Sequence, residues 1–477
     1  MTMFKDFSGG LADSPWRGIS GSFAVLVGCD IHSTPGQITV NQALAKESAA
    51  TVTALCKNVV VASDGNSYWF SSTDGKIWKR TAAAVWSLVH TNTKSSCLGA
   101  REYNGYIYYV GAGFVGRQTV ALAASEASWS SQADAWQTLS NIDTVFAPME
   151  EVNGKLFIGN GKYLASWDGS TYIDNDLDLT APFRISALTP SGIDILIGTY
   201  VGTGTTNLIK VNYCKVFRWD TVSDSYNDSD VVYEVGINAF IPKDNQILIQ
   251  AGIAGNIYYY DGTQLIPYKR IVGTYSPVKY GLVYPSAVGY FKGLSLFGFS
   301  NSPDTANSTG NPAPCGVYSL GRHNKNYPEV LNLEFPISVN TTLVGQEIGC
   351  IAVIGNDLLV SWKSSSSYGI DKLSTSAKYS AAYLETLVLA DDNSNKKIAN
   401  FKAGYISMPA SCSITFSHKI NYASSYTTIT NSEVETTKKE VRARQNLIDC
   451  HSLQTKVAFT VNANDAPILD YLNIDIK

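Results

Sequence analysis

The stretch Tyr68–Arg80, YWFSSTDGKIWKR, decides the fold. Aromatic residues stand on both sides of Ser72-Thr73-Asp74-Gly75. Aromatic side chains fit a pleated, half-buried surface. Asp-Gly between two such runs is a hairpin signal, because its central residues need positive φ and Gly takes it without steric cost. The stretch therefore reads as two antiparallel strands and a tight turn. The Asp74 side chain is expected to hydrogen-bond the turn backbone, with Trp69 and Trp78 packing on neighbouring strands.

The same texture recurs along the chain. YLASWDGSTY, KVFRWDTVSDSY, NIYYYDGTQLIPY, GVYSLGRHNKNY and YGIDKLSTSAKY repeat a strand that ends in an aromatic, then a turn, then another aromatic. The turns fall at Asp74-Gly75, Asp168-Gly169, Asp220, Asp261-Gly262, Gly321 and Asp371, and a further unit over Asn104–Trp136 fills the longest gap. About seven units of roughly 40–60 residues result, the period of four-stranded propeller blades. A blade cannot bury both faces alone, so the units must stack around an axis.

The expected fold is all-β: a propeller of about seven blades (six to eight) over 52–390, followed by a small β-sandwich over 391–477. Asp74, Gly75, Asp168, Gly169, Asp261 and Gly262 are its structural blade turns. Strands within 1–51, near SGSFAVLVGCDI and QITVNQAL, close or anchor the ring. DDNSNKK (Asp391–Lys397) reads as a polar linker, and the alternation in QTKVAFTV as a strand with one buried face.

Composition agrees. Of 477 residues, 45% are hydrophobic, enough for a sizeable core, but only 16% are charged, against about 25% in an average soluble protein. The 28 Tyr and 38 Gly against 4 Met suit a turn-rich β protein with a polar surface. A formal net charge of −4 offers no basic field to nucleic acid. The locally basic TTKKEVRAR (Thr436–Arg444) reads as an alternating strand with a solvated face. The opening MTMFKDFSGGLADSP has no basic segment followed by an apolar run, so no secretory signal is expected. No window approaches the roughly 18 apolar residues of a membrane span. None of the eight cysteines lies in a CxxC pair, so buried thiols are the default. Cys412 and Cys450 share the C-terminal segment and are the candidate disulfide pair.

Several stretches imitate chemistry. GAGFVG (Gly111–Gly116) follows a strand and has Asp134 some twenty residues on, as a dinucleotide fingerprint would. That fingerprint needs a following helix to receive the pyrophosphate, and its surroundings are antiparallel β in character. A blade turn explains the glycines. DNDLD (Asp174–Asp178) alternates three carboxylates, yet lacks the Gly and Glu of a calcium loop, and reads as a solvated loop between blades. The five histidines share no ligand spacing, and Gly-x-Ser-x-Gly is absent. No catalytic, cofactor-binding or metal-binding residue is assigned. No enzyme and no cofactor are expected, and exposed aromatics are left as the source of binding surface.

Two resemblances follow. Ser72–Trp78 looks like a degenerate Asp box of sialidase-type propellers, one residue short and without its Thr. The resemblance implies a structural turn, because the box lies far from the sialidase centre. That centre needs three arginines, a Tyr and an acid, with an Arg-Ile-Pro before the boxes. This chain has ten arginines, and its nearest match is PFRIS (Pro182–Ser186), around Arg184. The second resemblance covers the two ends. Phe7, Ser8, Gly9, Gly10, Leu11, Ser14, Pro15, Gly28, Asp30, Pro35 and Gly36 match a pattern that opens many tailed-phage tail proteins. LQTKVAFTVNANDAPILDYLNIDI (Leu453–Ile476) looks like their closing strands. This resemblance implies a non-enzymatic virion component, a tail nozzle, hub or tail-tip protein. It would be a homo-oligomeric ring that contacts other tail proteins. The alternative is a propeller that binds or cleaves a host-surface glycan or engages another host receptor.

Overall fold

The computed structural model describes residues 2–93, 96–123, 129, 133–142, 145–201, 213–244, 246–271, 281–301, 314–339, 343, 345–390, 396–430 and 432–476. Among these, strands dominate and the α-helix is a single turn, Val120–Ala123. Blade 1 holds Cys56–Val61, Ser67–Ser71, Lys76–Arg80 and Trp86–Thr91, and blade 2 holds Gly99–Tyr103, Tyr106–Gly111, Phe114–Thr119 and Gln137–Thr138. Blade 3 is Met149–Val152, Lys155–Asn160, Tyr163–Trp167 and Tyr172–Asp178. Blade 4 is Phe183–Ser191, Asp194–Val201, Cys214–Trp219 and Asp228–Val232. Blade 5 is Ile237–Lys243, Gln246–Ala251, Asn256–Tyr260 and Leu265–Arg270. Blade 6 is Leu282–Phe291, Leu294–Ser300, Gly316–Gly321 and Val330–Phe335. Blade 7 takes Gln346–Ile354, Asp357–Ser364 and Ser367–Lys378, and its fourth strand is Gln42–Lys46 from the N-terminus.

The first strands of successive blades lie against one another in a closed circuit, with that of blade 7 against that of blade 1. This is a seven-bladed β-propeller. Trp69 and Trp78 stand opposite each other in neighbouring strands of blade 1 and are buried where blades 7 and 1 meet. Pairing Gln42–Lys46 with Ser367–Lys378 ties the chain's start to its last blade, so the circle closes by a sheet rather than by packing alone.

Thr2–Phe4 and Ser22–Val27 of the N-terminus join the sandwich, while Cys29–Asp30 and Thr39–Val40 pair with each other. One sheet runs Thr2–Phe4, Ile468–Ile476, Lys396–Ser407, Glu440–Cys450 and Ser432–Glu435. The other runs Ser22–Val27, Tyr383–Thr386, Ser452–Thr460, Ser413–Ile420 and Thr427–Thr428. Phe401 of the first faces Phe416 of the second at 6.0 Å between ring centroids. Ser22–Val27, read as part of a blade, instead bridges the two halves: it pairs with Tyr383–Thr386, and Val27 also pairs with Leu333 of blade 6. Sandwich pairing thus begins at Tyr383, ahead of 391. The linker reading DDNSNKK lies largely outside the described residues.

Hairpin chemistry differs from the expectation in one respect. Among the described residues, the two-residue hairpin turns with both residues at positive φ are Asn104-Gly105, Asn153-Gly154 and Lys292-Gly293, each joining the first and second strands of a blade. The Asp-Gly turns are four residues long, and their Asp is not at positive φ. Asp371 is no turn at all. It lies inside Ser367–Lys378, buried.

Candidate functional site

The Asp turns fall into two sets. Asp168-Gly169 and Asp261-Gly262 join third to fourth strands, and so does Asp220-Thr221. In each, one carboxylate oxygen accepts the two backbone N–H groups that follow: Ser170 and Thr171, Thr263 and Gln264, Val222 and Ser223. The residue after each Asp has positive φ, and Thr221 fills the place of Gly169 and Gly262. These hydrogen bonds hold the carboxyls of Asp168 and Asp220 below their usual range and that of Asp261 down to about 2. Asp74-Gly75 joins the second to the third strand, so in an antiparallel blade it lies on the opposite face of the propeller. Asp74 accepts from Thr53 Oγ1 at 2.5 Å and from the Lys76 backbone N–H at 3.3 Å.

The remaining motifs resolve into structure. GAGFVG spans a hairpin whose turn is Ala112-Gly113, and no helix N-terminus receives it. Asp134 is buried and accepts from Tyr109 Oη at 2.6 Å and the Thr93 backbone N–H at 3.0 Å, with His90 Nε2 at 2.8 Å. DNDLD is the strand Tyr172–Asp178 rather than a loop; Asp174 accepts from Asn160 and Asp178 pairs with Lys162. Among the described residues no group of three His, Cys, Asp or Glu is placed to hold a metal ion. Cys412 and Cys450 form no disulfide. The Cys412 thiol instead lies 3.5 Å from the Asp465 carbonyl. Arg184 is on blade 4 and Asp74 on blade 1, so the two residues singled out by the sialidase comparison are not brought together.

What sequence reasoning missed is the channel on the propeller axis, a cavity of about 1310 Å³. The first strands and their turns line it, with Arg101 and Lys57 as its cations and Glu102, Glu150 and Glu151 as its carboxylates. Arg101 Nη2 pairs with Glu150 Oε1 at 2.5 Å. Burial raises the Glu150 carboxyl, and Arg101 opposes that rise. Blade 6 adds a bulge: Val283 pairs with Phe299 but Val288 pairs with Phe297, so Tyr284–Ala287 has no matching length in its partner strand and swells into the channel. Pro285, which has no N–H to lose, sits in it. Ser286 Oγ reaches Asn58 of blade 1 at 3.1 Å, past blade 7. Nothing in the local sequence marks this bulge except the Pro within an otherwise strand-like run.

A second built region is the junction of the halves. Phe7 stacks on Phe23 at 5.7 Å, and the Gly28 N–H donates to the Leu333 carbonyl of blade 6 at 3.0 Å. A Cβ on Gly10 would stand 2.5 Å from Val330 Cβ of blade 6. At the outer surface of the same region, Trp16 (49% exposed) and Tyr422 (58%) lie 5.6 Å apart. Tyr422 and the preceding Asn421 both hold positive φ, uncommon for a bulky residue, and the Asn421 and Tyr422 N–H groups are fixed by Ser452.

No protein-family model matches the chain, and no curated protein does. Solved structures do, at low identity. A structure described as YCF48 bound to D1 peptide is 8% identical, with a TM-score of 0.45, over 74% of this chain and 98% of that one. The Myceliophteria thermophila Cps50 (Swd1) β-propeller domain is 11% identical, with a TM-score of 0.45, over 69% and 100%. A streptogramin B lyase is 11% identical, with a TM-score of 0.44, over 69% and 97%. The strand pairing and the closed circuit of first strands establish the class by themselves: this is a β-propeller protein with a β-sandwich joined to it.

Proposed function

We propose that the chain is a non-enzymatic structural component of a bacteriophage tail, a nozzle, hub or tail-tip protein that acts through protein–protein interfaces in the virion. The observation that carries this reading is where the tail-protein-like N-terminal residues go. Phe7, Gly10 and Gly28 are spent on the junction between propeller and sandwich, and the arm that bears them supplies strands to both sheets of the sandwich and to blade 7. Such interlacing makes one stiff unit of two modules, which is what a part held between neighbours in an assembly requires. The exposed Trp16 and Tyr422 offer aromatic area to a neighbour at low entropic cost. A closed homo-oligomeric ring is the assembly such a part favours.

The test is peptide mass spectrometry of purified phage particles from the source, with copy number measured against the major capsid protein. A few to a dozen copies per particle supports a tail building block, and a simple multiple gives its symmetry. Absence from intact particles overturns the reading.

A further inference from the structure

The propeller channel contains a cation that, among the described residues, makes no salt bridge. Lys57, in the first strand of blade 1, is part-buried and lines the channel. Its Nζ sits 4.2 Å from the centre of the Tyr284 ring, on the blade 6 bulge. A carboxylate is nearby but occupied: Glu347 Oε1 takes Lys363 Nζ at 2.6 Å, and Glu347 Oε2 takes Tyr284 Oη at 2.9 Å. The charges grouped around Tyr284 are therefore two ammoniums and one carboxylate. Further along the channel Arg101 pairs with Glu150, Glu102 accepts from Ser63, and Glu151 also lines the wall, so the negative charge gathers away from Tyr284. Among the described residues Lys57 has neither a hydrogen bond nor an ion pair.

A part-buried ammonium without an ion pair loses some of its hydration, and an aromatic face recovers only part of it. Burial accordingly holds the Lys57 amine below the usual lysine range, with Glu347 pulling it up and Lys363 pushing it down. The bulge that carries the aromatic face also reaches across to blade 1, through the Ser286–Asn58 hydrogen bond. A strand distorted to place Tyr284 beside a lysine, next to an open cavity, has the form of a built site rather than a packing accident.

We propose that this end of the channel is an oxyanion site, in which Lys57 is the counter-charge for a carboxylate or phosphate group entering the cavity. The chemistry is shared by two sources, a free oxyanion and an acidic side chain or chain terminus of a partner protein. The proposal does not depend on the tail assignment.

The full chain is titrated at constant ionic strength with inorganic phosphate and, separately, with a short peptide ending in Asp-Glu. Thermal midpoint and intrinsic fluorescence are read against a sodium chloride control. A saturable rise with phosphate assigns a free oxyanion, and a rise with the peptide assigns a partner's carboxylate. In either case Lys57→Met weakens the response by about tenfold or more and Lys57→Arg retains it. Without ligand, Lys57→Met is expected to melt at or above the wild-type temperature, since it removes a part-buried charge that makes no salt bridge. No response to either probe, a response that Lys57→Met leaves intact, or a ligand-free Lys57→Met midpoint well below wild type would each overturn the proposal.

Discussion

Asn41 donates its side-chain amide to Glu334 Oε1 at 2.7 Å, tying the N-terminal arm to the last strand of blade 6. Around the same buried carboxylate, Ser319 Oγ and Asn332 Nδ2 lie 2.7 and 2.8 Å from Oε2, and His32 Nε2 stands at 3.9 Å. Burial, with the charge of Asp30 added, pushes the Glu334 carboxyl up to about 7, although its three donors pull the other way. Burial also pushes His32 down to about 4, with His323 adding to that and Asp30 opposing.

The two groups bend stability in opposite directions. Glu334 has its folded pKa raised from 4.5, so its contribution is fully present below about pH 4.5 and is lost as pH rises through 7. At about 1.4 kcal/mol per unit this amounts to roughly 3 kcal/mol at most. His32 has its folded pKa lowered from 6.5, so its contribution is present above about pH 6.5 and is lost as pH falls through 4. Glu334→Gln should therefore lose ground against wild type at pH 5 and recover it at pH 8, while His32→Gln should gain against wild type at pH 4–5. Urea unfolding at pH 4.5, 6.5 and 8 reads both, and variant curves running parallel to wild type would contradict the assignment.

Ring closure rests on a second long-range contact. Arg80 of blade 1 is buried, with Nε and Nη2 at 2.9 and 2.8 Å from the two oxygens of Glu47, just past the N-terminal strand of blade 7. Arg80 Nη2 also reaches Asp357 at 3.2 Å, and Trp86 Nε1 reaches Glu47 at 2.6 Å. Burial alone would raise the Glu47 carboxyl, but the hydrogen bonds from Arg80 and Trp86 outweigh it and bring it down. Removing Glu47 leaves the buried Arg80 with Asp357 alone, so Glu47→Ala should cost about 2 kcal/mol. Hydrogen exchange should show the loss concentrated in the Gln42–Lys46 strand and the outer strands of blades 7 and 1. Uniform loss over all blades would argue against a local clasp.

The junction has its own test at Gly28. Its φ is +61°, and a Cβ there would meet Tyr379 Cδ1 at 2.3 Å. Left-handed strain alone is of order 1–2 kcal/mol for a residue with a Cβ. Gly28→Ala should then lower stability by about 2 kcal/mol or more. The same substitution at Gly65, where the added Cβ meets nothing, should cost only the strain. Equal melting points for the two variants would remove the steric argument.

The repeat was legible because each blade buries its own strand pattern locally. Aromatic runs broken by Asp-Gly or a near equivalent suffice to count about seven units, and QITVNQAL holds the start of the strand that completes blade 7. The failures have a common physical cause. Asn-Gly and Asp-Gly give the same signal in sequence but make turns of different length on different strand connections; at Asp168 and Asp261 the carboxylate captures two backbone N–H groups within a four-residue turn, and at Asp74 it takes one together with the Thr53 hydroxyl. Lys57, Glu334 and the Arg80–Glu47 pair depend on contacts between residues hundreds or tens of positions apart, which no local pattern encodes. The Ser22–Val27 strand reads like any blade strand, and only its partners show that it serves the sandwich.

Asp371 is the sharpest of these failures and the easiest to check. It was grouped with Asp74 because both follow an aromatic stretch, but their surroundings differ. Asp74 sits at a surface turn with Thr53 and the Lys76 N–H, so Asp74→Ala should lower stability by about 1 kcal/mol, the order of one net hydrogen bond. Asp371 is buried and accepts from Trp362 Nε1 at 2.6 Å, Ser338 Oγ at 2.8 Å and the Ser338 N–H at 2.7 Å. Burial raises its carboxyl against the pull of those donors. Asp371→Ala would leave the buried Trp362 indole N–H and the Ser338 N–H without an acceptor, at about 1–3 kcal/mol each. A loss of about 3 kcal/mol or more at Asp371, against about 1 at Asp74, is expected by urea unfolding. Equal and small losses at both positions would put Asp371 back in a solvated turn and break the strand assignment for blade 7.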